Sequence, residues 1–370
     1  MSFFTRLSKR VQEIDSLLCV GLDPHPADLP AATAAAAKDF CLKLIDCTTE
    51  ITAAFKPNIA FFEAFGPAGI RVLQEVISSI PKPVPVILDA KLGDIASTAE
   101  AYARAVFKQL GAHAVTINPY LGRDAIEPFL ADPERGVFLL CKTSNPGAQD
   151  LQDLELAEFQ TVRGINDSYH LYEKVASLAQ EWNINDNLGL VVGATQPEAL
   201  ARVRLLAPDL WILAPGVGAQ GGVLEEALRA GLRSDGMGML IPVSRAISRA
   251  ADPRNAAEEI RSRINRERDK LITRQVENDL RKEEIPGIEF TQLADGLFEA
   301  GCIKFGQFSL KSGMISPIYI DLRQLVSFPR LLELVARTYL PILQKLSFDR
   351  LAGLPYAALP ITSAISLVGN

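Results

Sequence analysis

The amino-acid sequence predicts an α/β protein whose main body is a (β/α)8 TIM barrel. Over roughly the first 250 residues, short apolar runs alternate eight times with stretches of helical periodicity. The runs are apolar almost throughout, which is typical of parallel strands covered by helices on both faces. Polar residues collect at the C-terminal ends of these runs, where barrel enzymes build their sites. An open doubly wound sheet is the main alternative.

The order of the elements follows from these runs. The predicted strands cover residues 17–23, 53–59, 85–91, 114–120, 136–143, 188–195, 210–216 and 238–244. The predicted helices between them cover residues 32–52, 63–80, 96–110, 168–182, 197–206 and 223–231. The connection 145–167 is long and polar and has no clear period, so it is a candidate mouth loop or lid.

The composition limits the classes of function. Of the 370 residues, 48% are hydrophobic and 22% charged, as in globular proteins with a large core. A net charge of −6 argues against nonspecific nucleic-acid binding. No uncharged apolar run of about 18 residues predicts a membrane span, and residues 1–6 lack the apolar region of a signal peptide. We therefore expect a cytoplasmic protein without nucleic-acid or membrane partners.

The metal-binding residue types are sparse. The five cysteines are odd in number and have no Cys-x-x-Cys spacing, and the three histidines are scattered singly. We expect reduced cysteines that mostly lie in the core. The sequence thus predicts no metal site and no cofactor.

The most informative segment is Asp89-x-Lys91-x-x-Asp94 at the end of the third predicted strand. Residues two apart on a strand point to the same side, so Asp89 and Lys91 are predicted to project together. Ionisable residues at the end of an apolar strand are costly unless they are paired. The segment is therefore a candidate site, and a structural Asp–Lys pair that closes the strand is the alternative.

Other polar residues occupy equivalent positions on different strands. They are Asp23, Lys56, Asn118, Thr143, Ser144, Pro215, Gly216, Ser244 and Arg245. Because the C-terminal ends of barrel strands meet at one mouth, these residues are expected to converge. Convergence from several strands favours a binding site over isolated structural pairs. For Asn118 a structural hydrogen bond is the favoured interpretation.

A glycine-rich segment follows the seventh predicted strand. Residues 216–221 match Gly-x-Gly-x-x-Gly, but a dinucleotide-binding segment normally opens the first βαβ unit. In barrels, the loops after strands seven and eight commonly bind phosphate. Arg245, just beyond the eighth strand, supplies a cation that can hold two phosphate oxygens. These features predict a small phosphorylated ligand.

Three motifs in one consistent order resemble orotidine 5′-monophosphate decarboxylases. They are Asp89-x-Lys91-x-x-Asp94-Ile95-x-x-Thr98, Pro215-Gly216-Val217-Gly218-Ala219-Gln220-Gly221 and Thr143-Ser144-Asn145-Pro146-Gly147. The phrases Phe55-Lys56-Pro57-Asn58 and Phe61-Phe62-Glu63 resemble the bacterial branch of that family in particular. The resemblance covers roughly residues 1–255 and implies conversion of orotidine 5′-monophosphate to UMP in de novo pyrimidine synthesis.

The resemblance also implies a role for each matching residue. Lys91 would stabilise the carbanion at C6 and protonate it, Asp89 would lie against the substrate carboxylate, and Lys56 and Asp94 would extend the charged row. A homodimer is implied, in which Asp94 and Thr98 act in the neighbouring subunit's site. The remaining implied substrate-binding residues are Asp23 for the ribose, Ser144 for the pyrimidine edge, Gln220, Gly221 and Arg245 for the phosphate, and Ile95 and Pro215.

The last third of the chain shows a second pattern. Residues 256–287, rich in charges of both signs, are predicted to form a helical linker. Residues 288–370 resemble the beginning of orotate phosphoribosyltransferases through the phrases at 297–301, 304–313, 316–319 and 353–360. That resemblance implies that Lys311 contacts the phosphoribosyl donor and Tyr319 flanks orotate. The acidic pair and Thr/Gly-rich loop of such transferases are not found before residue 370, so we expect an incomplete transferase segment.

Two other functions remain open at this stage. A barrel aldolase or sugar-phosphate lyase would use Lys56 or Lys91 as a Schiff base, or would employ Mg²⁺. A noncatalytic assembly module, whose C-terminal segment docks onto partner enzymes, is a second alternative. The charged row makes the second alternative poor for the barrel and reasonable for the segment after residue 287.

Overall fold

The computed structural model describes residues 1–156, 169–217, 223–282, 290–309, 315–344, 349–354 and 358–369, and the side chains of 274–282 and 290 are not described. Residues 157–167 of the candidate loop 145–167 lie outside these ranges. The chain divides into two compact units, Met1–Gln275 and Val276–Asn370. No helix in the described ranges is both long enough and apolar enough to span a bilayer.

The first unit is built on an eight-stranded parallel sheet that confirms the predicted barrel. Its strands run in the order β2-β1-β8-β7-β6-β5-β4-β3, and isolated bridges Phe55–Val86 and Asn58–Asp89 join β2 to β3. The open doubly wound alternative is therefore wrong. The strands are β1 (Leu18–Leu22), β2 (Ala54–Pro57), β3 (Ile87–Leu92), β4 (Ala114–Ile117), β5 (Gly136–Lys142), β6 (Leu188–Val192), β7 (Ile212–Leu213) and β8 (Met239–Val243).

Helices surround this sheet between successive strands. The α-helices of the first unit are α1 (Phe3–Ile14), α2 (Ala34–Thr48), α3 (Ala60–Glu63), α4 (Gly66–Ser79), α5 (Ala96–Arg104), α6 (Glu127–Leu130), α7 (Leu171–Trp182), α8 (Pro197–Leu206), α9 (Leu224–Gly231), α10 (Arg245–Ser248) and most of α11 (Pro253–Lys282). The helix predicted at 63–80 is interrupted near Phe65, where Gly66, the first residue of α4, adopts a φ of 62°.

Helix α1 fills the N-terminal end of the barrel and was not predicted. Its buried face consists of Phe3, Phe4, Leu7 and Val11. The Phe4 ring stacks on Trp211 with a centroid separation of 6.1 Å. The Phe3 ring lies where a Cβ on residue 136 would be, so β5 begins with a glycine because a larger residue would clash. The end of the barrel opposite the predicted site is thus closed by aromatic packing.

The first part of α11 belongs to the barrel unit, which differs from the solvated linker predicted from residue 256. Ala257 and Ile264 are fully buried in the main hydrophobic core. The Arg261 guanidinium donates to the carbonyls of Ile14 and Asp15 at 2.8 and 3.0 Å. Ala257 and Ile264, which are seven residues apart, thus anchor the helix to the barrel. Because they are two apolar side chains among many charged ones, the composition of the segment did not indicate a buried face.

The second unit contains both helices and strands. Its elements are α12 (Phe290–Glu299), β9 (Ile303–Ser309), β10 (Ile315–Ile320), α13 (Pro329–Leu343) and α14 (Ala358–Val368). Strands β9 and β10 pair antiparallel. A separate small core is formed by Ala300, Cys302, Leu325, Val335, Ala336, Ile361 and Ile365. An α/β segment after the barrel, as predicted, is therefore present.

The environment of His113, which immediately precedes β4, predicts that stability depends on pH. Burial, assisted by the charges of Arg6 and Arg135, lowers the pKa of His113 to about 4. Its Nδ1 accepts a hydrogen bond from the Val86 amide at 3.1 Å, which requires the unprotonated nitrogen. Between the folded pKa and the unfolded value near 6.5, the unfolded state binds more protons. Stability is therefore lost as pH falls through this window.

We expect His113→Asn, whose amide oxygen can still accept from Val86, to reduce this loss. The free energy of unfolding of the wild type should fall by about 3 kcal/mol more than that of the variant between pH 7 and 4. Urea unfolding followed by tryptophan fluorescence reports on the barrel unit, which contains Trp182 and Trp211. His25→Asn serves as the control and should keep the wild-type slope. Parallel pH profiles for wild type and His113→Asn would refute this assignment.

Candidate active site

Three charged side chains alternate at the mouth of the barrel. Asp89, near the end of β3, accepts from the Lys91 ammonium at 2.5 Å and, through its other oxygen, from the Lys56 ammonium at 3.0 Å. The Lys56 and Asp89 side chains are 8% and 12% exposed, whereas that of Lys91 is 48% exposed. The Lys56 amine is therefore buried, and the Lys91 amine is about half exposed.

The electrostatics keep this row ionised. Burial by itself raises the pKa of Asp89, but the ammonium groups of Lys56 and Lys91 hold it well below its usual range. Burial likewise lowers the pKa of Lys56, but the carboxylates of Asp23 and Asp89 outweigh this and keep its pKa above the ordinary value. The buried charges are thus mutually dependent.

Thr116 was missed by the sequence analysis. Its side chain is buried on β4, and its hydroxyl donates to Asp89 at 3.1 Å. It also accepts from the backbone amides of Ala90 and Lys91. A polar residue inside the otherwise apolar β4 is the signal in the sequence, but Thr116 lies within the strand and not at its end, where barrel sites are expected.

A cavity of about 190 Å³ lies beside the charged row. Its lining comprises Gly21, Asp23, His25, Lys56, Phe61, Pro215, Gly216, Val217, Pro242, Val243, Ser244 and Arg245. The structure therefore brings together the predicted residues Asp23, Lys56, Pro215 and Arg245. Arg245 is exposed and forms no ion pair within the described ranges. A free guanidinium at the rim of a polar cavity can bind an anionic group.

Two polar atoms in this cavity lack partners. Asp23 Oδ1 and Ser244 Oγ are buried and have no hydrogen bond to the described part of the chain. A Cβ on Gly21 would approach Asp23 Oδ2 to 3.1 Å and Ser244 Oγ to 3.2 Å. Buried polar atoms without protein partners indicate a polar ligand such as a sugar hydroxyl.

The segment after Lys91 forms no hydrogen bond or ion pair with this row among the described residues. The Asp94 carboxylate accepts from the Ile95 amide at 2.8 Å and makes no ion pair with the residues described. Ile95 is 54% exposed, and Thr98, near the start of α5, is also exposed. Within one chain, the structure therefore does not bring Asp94, Ile95 or Thr98 into contact with the row.

The remaining predicted residues have different outcomes. Ser144 follows β5 and packs closely against Gly193. A Cβ added to residue 193 would lie 3.0 Å from the Cβ of Ser144. Asn118 accepts from the Tyr120 amide at 3.0 Å, so its structural interpretation is confirmed. Gln220, Gly221 and Lys311 lie outside the described residues. Tyr319, on β10, contacts the Phe308 ring at 5.4 Å in the second unit.

No group of three or more histidine, cysteine, aspartate or glutamate side chains suited to a metal ion occurs in the described ranges. The charged row, the cavity and the unpaired guanidinium together form a site for an anionic polar ligand. Its groups can stabilise developing negative charge near Lys91.

Comparison with protein families assigns this barrel. Residues 16–260 match the model of the orotidine 5′-phosphate decarboxylase / HUMPS family. The chain belongs to this family. An orotidine 5′-phosphate decarboxylase of Roseiflexus castenholzii is 50% identical over 276 residues, which are 72% of this chain and 98% of the relative. The family's barrel thus corresponds to the first unit.

Two similar proteins extend beyond the barrel. A bifunctional enzyme PyrF/PyrE of Nostoc sp. is 36% identical over 375 residues, 99% of this chain and 76% of the relative. The solved structure of Leishmania donovani UMP synthase is 52% identical with a TM-score of 0.67, and the match covers all of this chain and 76% of that one. The similarity of this family member therefore includes its second unit.

The mutual dependence of the buried charges predicts a stability effect. Asp89→Asn removes the negative charge between two ammonium groups and leaves Lys56 buried without its partner. We expect the free energy of unfolding at pH 7 to fall by about 3 kcal/mol. The measurement is urea unfolding followed by tryptophan fluorescence.

Glu127→Gln is a matched control, because it makes the same change in an ion pair whose side chains are 49% and 58% exposed. Its loss should stay below about 1 kcal/mol. An Asp89→Asn variant as stable as the wild type would show that the row does not depend on that charge.

Proposed function

We propose that this chain converts orotidine 5′-monophosphate to UMP and carbon dioxide, a step of de novo pyrimidine synthesis. The observation that carries the proposal is the Lys56–Asp89–Lys91 row beside a polar cavity at the barrel mouth. Family membership and the decarboxylase of Roseiflexus castenholzii support it. The cavity offers Asp23 and Arg245 to the ribose and phosphate of such a substrate.

Lys91 has two tasks in the proposed reaction. When the bond between C6 and the carboxyl carbon breaks, carbon dioxide leaves and the electron pair stays on C6. Stabilising such a carbanion demands on the order of 20 kcal/mol, and charges fixed before the reaction can supply much of it. The partly exposed Lys91 ammonium then donates a proton to C6 and becomes a neutral amine.

Asp89 and Lys56 prepare this step. Asp89 is held ionised, so that it would repel the carboxylate of the bound substrate more than the departing neutral carbon dioxide. Lys56 lies on the far oxygen of Asp89 and keeps that buried charge in place. Preferential stabilisation of the transition state over the bound substrate would thus depend on all three side chains of the row.

The rest of the substrate would be held at a distance from the reacting carbon. Asp23 would bind a ribose hydroxyl, Arg245 the phosphate and Ser144 the pyrimidine edge. Pro215 lines the same cavity, and Gln220 with Gly221 would complete the phosphate site. Binding energy from the phosphate would lower the chemical barrier as well as aid binding.

We also propose a homodimer that completes each site. Asp94, Ile95 and Thr98 are available on the surface of this chain and do not contact its own charged row. Exposure of an apolar Ile95 beside Asp94 fits a position at an interface. In the dimer, Asp94 and Thr98 would enter the neighbouring site and Asp94 would extend its alternating charges.

For the second unit we propose descent from an orotate phosphoribosyltransferase, with the decarboxylase first in the chain. The full-length similarity to the bifunctional enzyme of Nostoc sp. and to the Leishmania UMP synthase supports this order. Lys311 and Tyr319 are the proposed donor and orotate contacts. The predicted bacterial branch stays a prediction, since one of the similar structures is from Leishmania.

The aldolase or lyase alternative is not favoured. A Schiff-base lysine needs a neutral amine, whereas the paired carboxylates raise the pKa of Lys56. Borohydride trapping of a substrate adduct would favour that alternative. Activity that a chelator abolishes would favour its metal-dependent form.

The first test of the decarboxylase removes its central amine. Lys91→Ala should lower turnover of orotidine 5′-monophosphate by at least about 10⁴-fold, since both charge stabilisation and proton donation are lost. Loss of orotidylate absorbance measures turnover, with chelator present. UMP binding by calorimetry should persist. The control Lys82→Ala changes an exposed lysine outside the cavity, and near-normal turnover in Lys91→Ala would refute the assignment.

The shared site is tested by mixing inactive variants. Lys91→Ala and Asp94→Ala homodimers should each be nearly inactive. Exchange of subunits between equal amounts should restore about a quarter of wild-type activity, since about half the dimers are hybrids with one intact site. Mixing Lys91→Ala with Lys56→Ala provides the control and should restore nothing, because both lysines belong to the same chain's row. No recovery in the first mixture would contradict a site built from two chains.

A further inference from the structure

We propose that Thr116 is the positioning residue that fixes Asp89 and Lys91 in their reactive arrangement. The inference deepens the proposed decarboxylase function and rests on it. Thr116 is 1% exposed, so it acts through its neighbours and not on the substrate.

The backbone of β3 is irregular at the point where the charged residues lie. Leu88 pairs with Val115, and the next pair is Leu92 with Ile117. Four steps along β3 therefore match two steps along β4, so that residues 89–91 face Thr116 alone. A bulge of this kind redirects side chains at the end of a strand.

The bulge places Lys91 in an unfavourable conformation. Its φ is 50°, in the left-handed region that side-chain-bearing residues rarely adopt. Such a conformation persists only where surrounding contacts hold it. Here the amides of Ala90 and Lys91 donate to Thr116 Oγ1 at 3.0 and 2.9 Å.

These two bonds also determine the direction of the hydroxyl proton. A threonine hydroxyl has one proton and two lone pairs. The amides of Ala90 and Lys91 occupy both lone pairs, so the proton is left for Asp89 Oδ1, which lies 3.1 Å away. The same carboxylate oxygen accepts from the Lys91 ammonium. One hydroxyl thus fixes both the backbone of Lys91 and the carboxylate that its side chain contacts.

Regular pairing between β3 and β4 resumes at Leu92, directly after the bulge. The Asn118 amide donates to the Leu92 carbonyl at 2.8 Å, as expected for adjacent parallel strands. The irregularity is therefore confined to the residues that carry charge. The Thr116 hydroxyl stabilises this distortion of β3. The distortion is best explained as the feature that positions the Lys91 amine.

The test compares Thr116→Val, which has the same shape without the hydroxyl, with Thr116→Ser, which retains it. Thr116→Val should lower kcat for orotidine 5′-monophosphate by about 100-fold, because misplacement of a reacting group by about 1 Å has effects of that size. Its affinity for UMP should change less than threefold. A loss of kcat at nearly unchanged UMP affinity separates positioning of the amine from a merely structural role of the hydroxyl. Thr116→Ser should keep kcat within about threefold of wild type.

Thr48→Val is the matched control, because Thr48 is also fully buried and its hydroxyl donates to the Leu44 carbonyl within α2 and not to a residue of the row. It should lower stability while kcat stays unchanged. If Thr116→Val does not fold, Thr116→Ser and Thr116→Ala are compared, and the inference requires kcat of the serine variant to be at least about tenfold higher.

Equal kcat in wild type and Thr116→Val, or in the serine and alanine variants, would overturn the inference while leaving the decarboxylase function intact. A wild-type enzyme that does not turn over orotidine 5′-monophosphate would contradict the proposed function, and this inference with it. The two failures are therefore distinguished by the wild-type measurement.

Discussion

A single carboxylate, that of Asp89, holds the site together. It bridges two ammonium groups, one buried and one about half exposed, and it accepts from a hydroxyl on the neighbouring strand. Removing a charge from water is costly, so the buried charges of Lys56 and Asp89 are tolerated because they are paired. The arrangement comes from adjacent strands, with Lys56 on β2, Asp89 on β3 and Thr116 on β4. The barrel provides the rigid frame that holds these charges in position before the reaction begins.

The two ends of the barrel perform different tasks. The N-terminal end is closed by α1, whose phenylalanines pack against Trp211 and Phe138. There the Arg204 guanidinium also donates to five backbone carbonyls of neighbouring turns. The C-terminal end carries the strained Lys91 and a cavity in which Asp23 Oδ1 and Ser244 Oγ have no hydrogen-bond partner among the described residues. The mouth thus keeps polar groups that a ligand can satisfy.

The apolar strands and the convergence of residues at their ends could be predicted from sequence, because both follow from the repeating βα unit. Helix α1 could not be predicted from the repeating βα unit, since its four core side chains lie in a short segment that precedes the first strand. The joint projection of Asp89 and Lys91 was predicted from regular strand alternation, whereas the structure achieves their contact through a bulge. That bulge depends on Thr116, which is distant in sequence, so no local pattern around Asp89 could indicate it.

The local charge explains how an acidic chain can hold an anionic substrate. The whole chain carries −6, but Lys56, Lys91 and Arg245 outnumber Asp23 and Asp89 at the mouth. A nucleoside monophosphate that also carries a carboxylate brings about three negative charges. The excess of positive charge would therefore favour binding, while in the proposed reaction Asp89 would repel the substrate carboxylate. Loss of carbon dioxide would relieve that repulsion and transfer negative charge to the carbon next to Lys91. In the proposed dimer, Asp94 would balance the remaining positive charge, which would sharpen the preference for the transition state over the bound substrate.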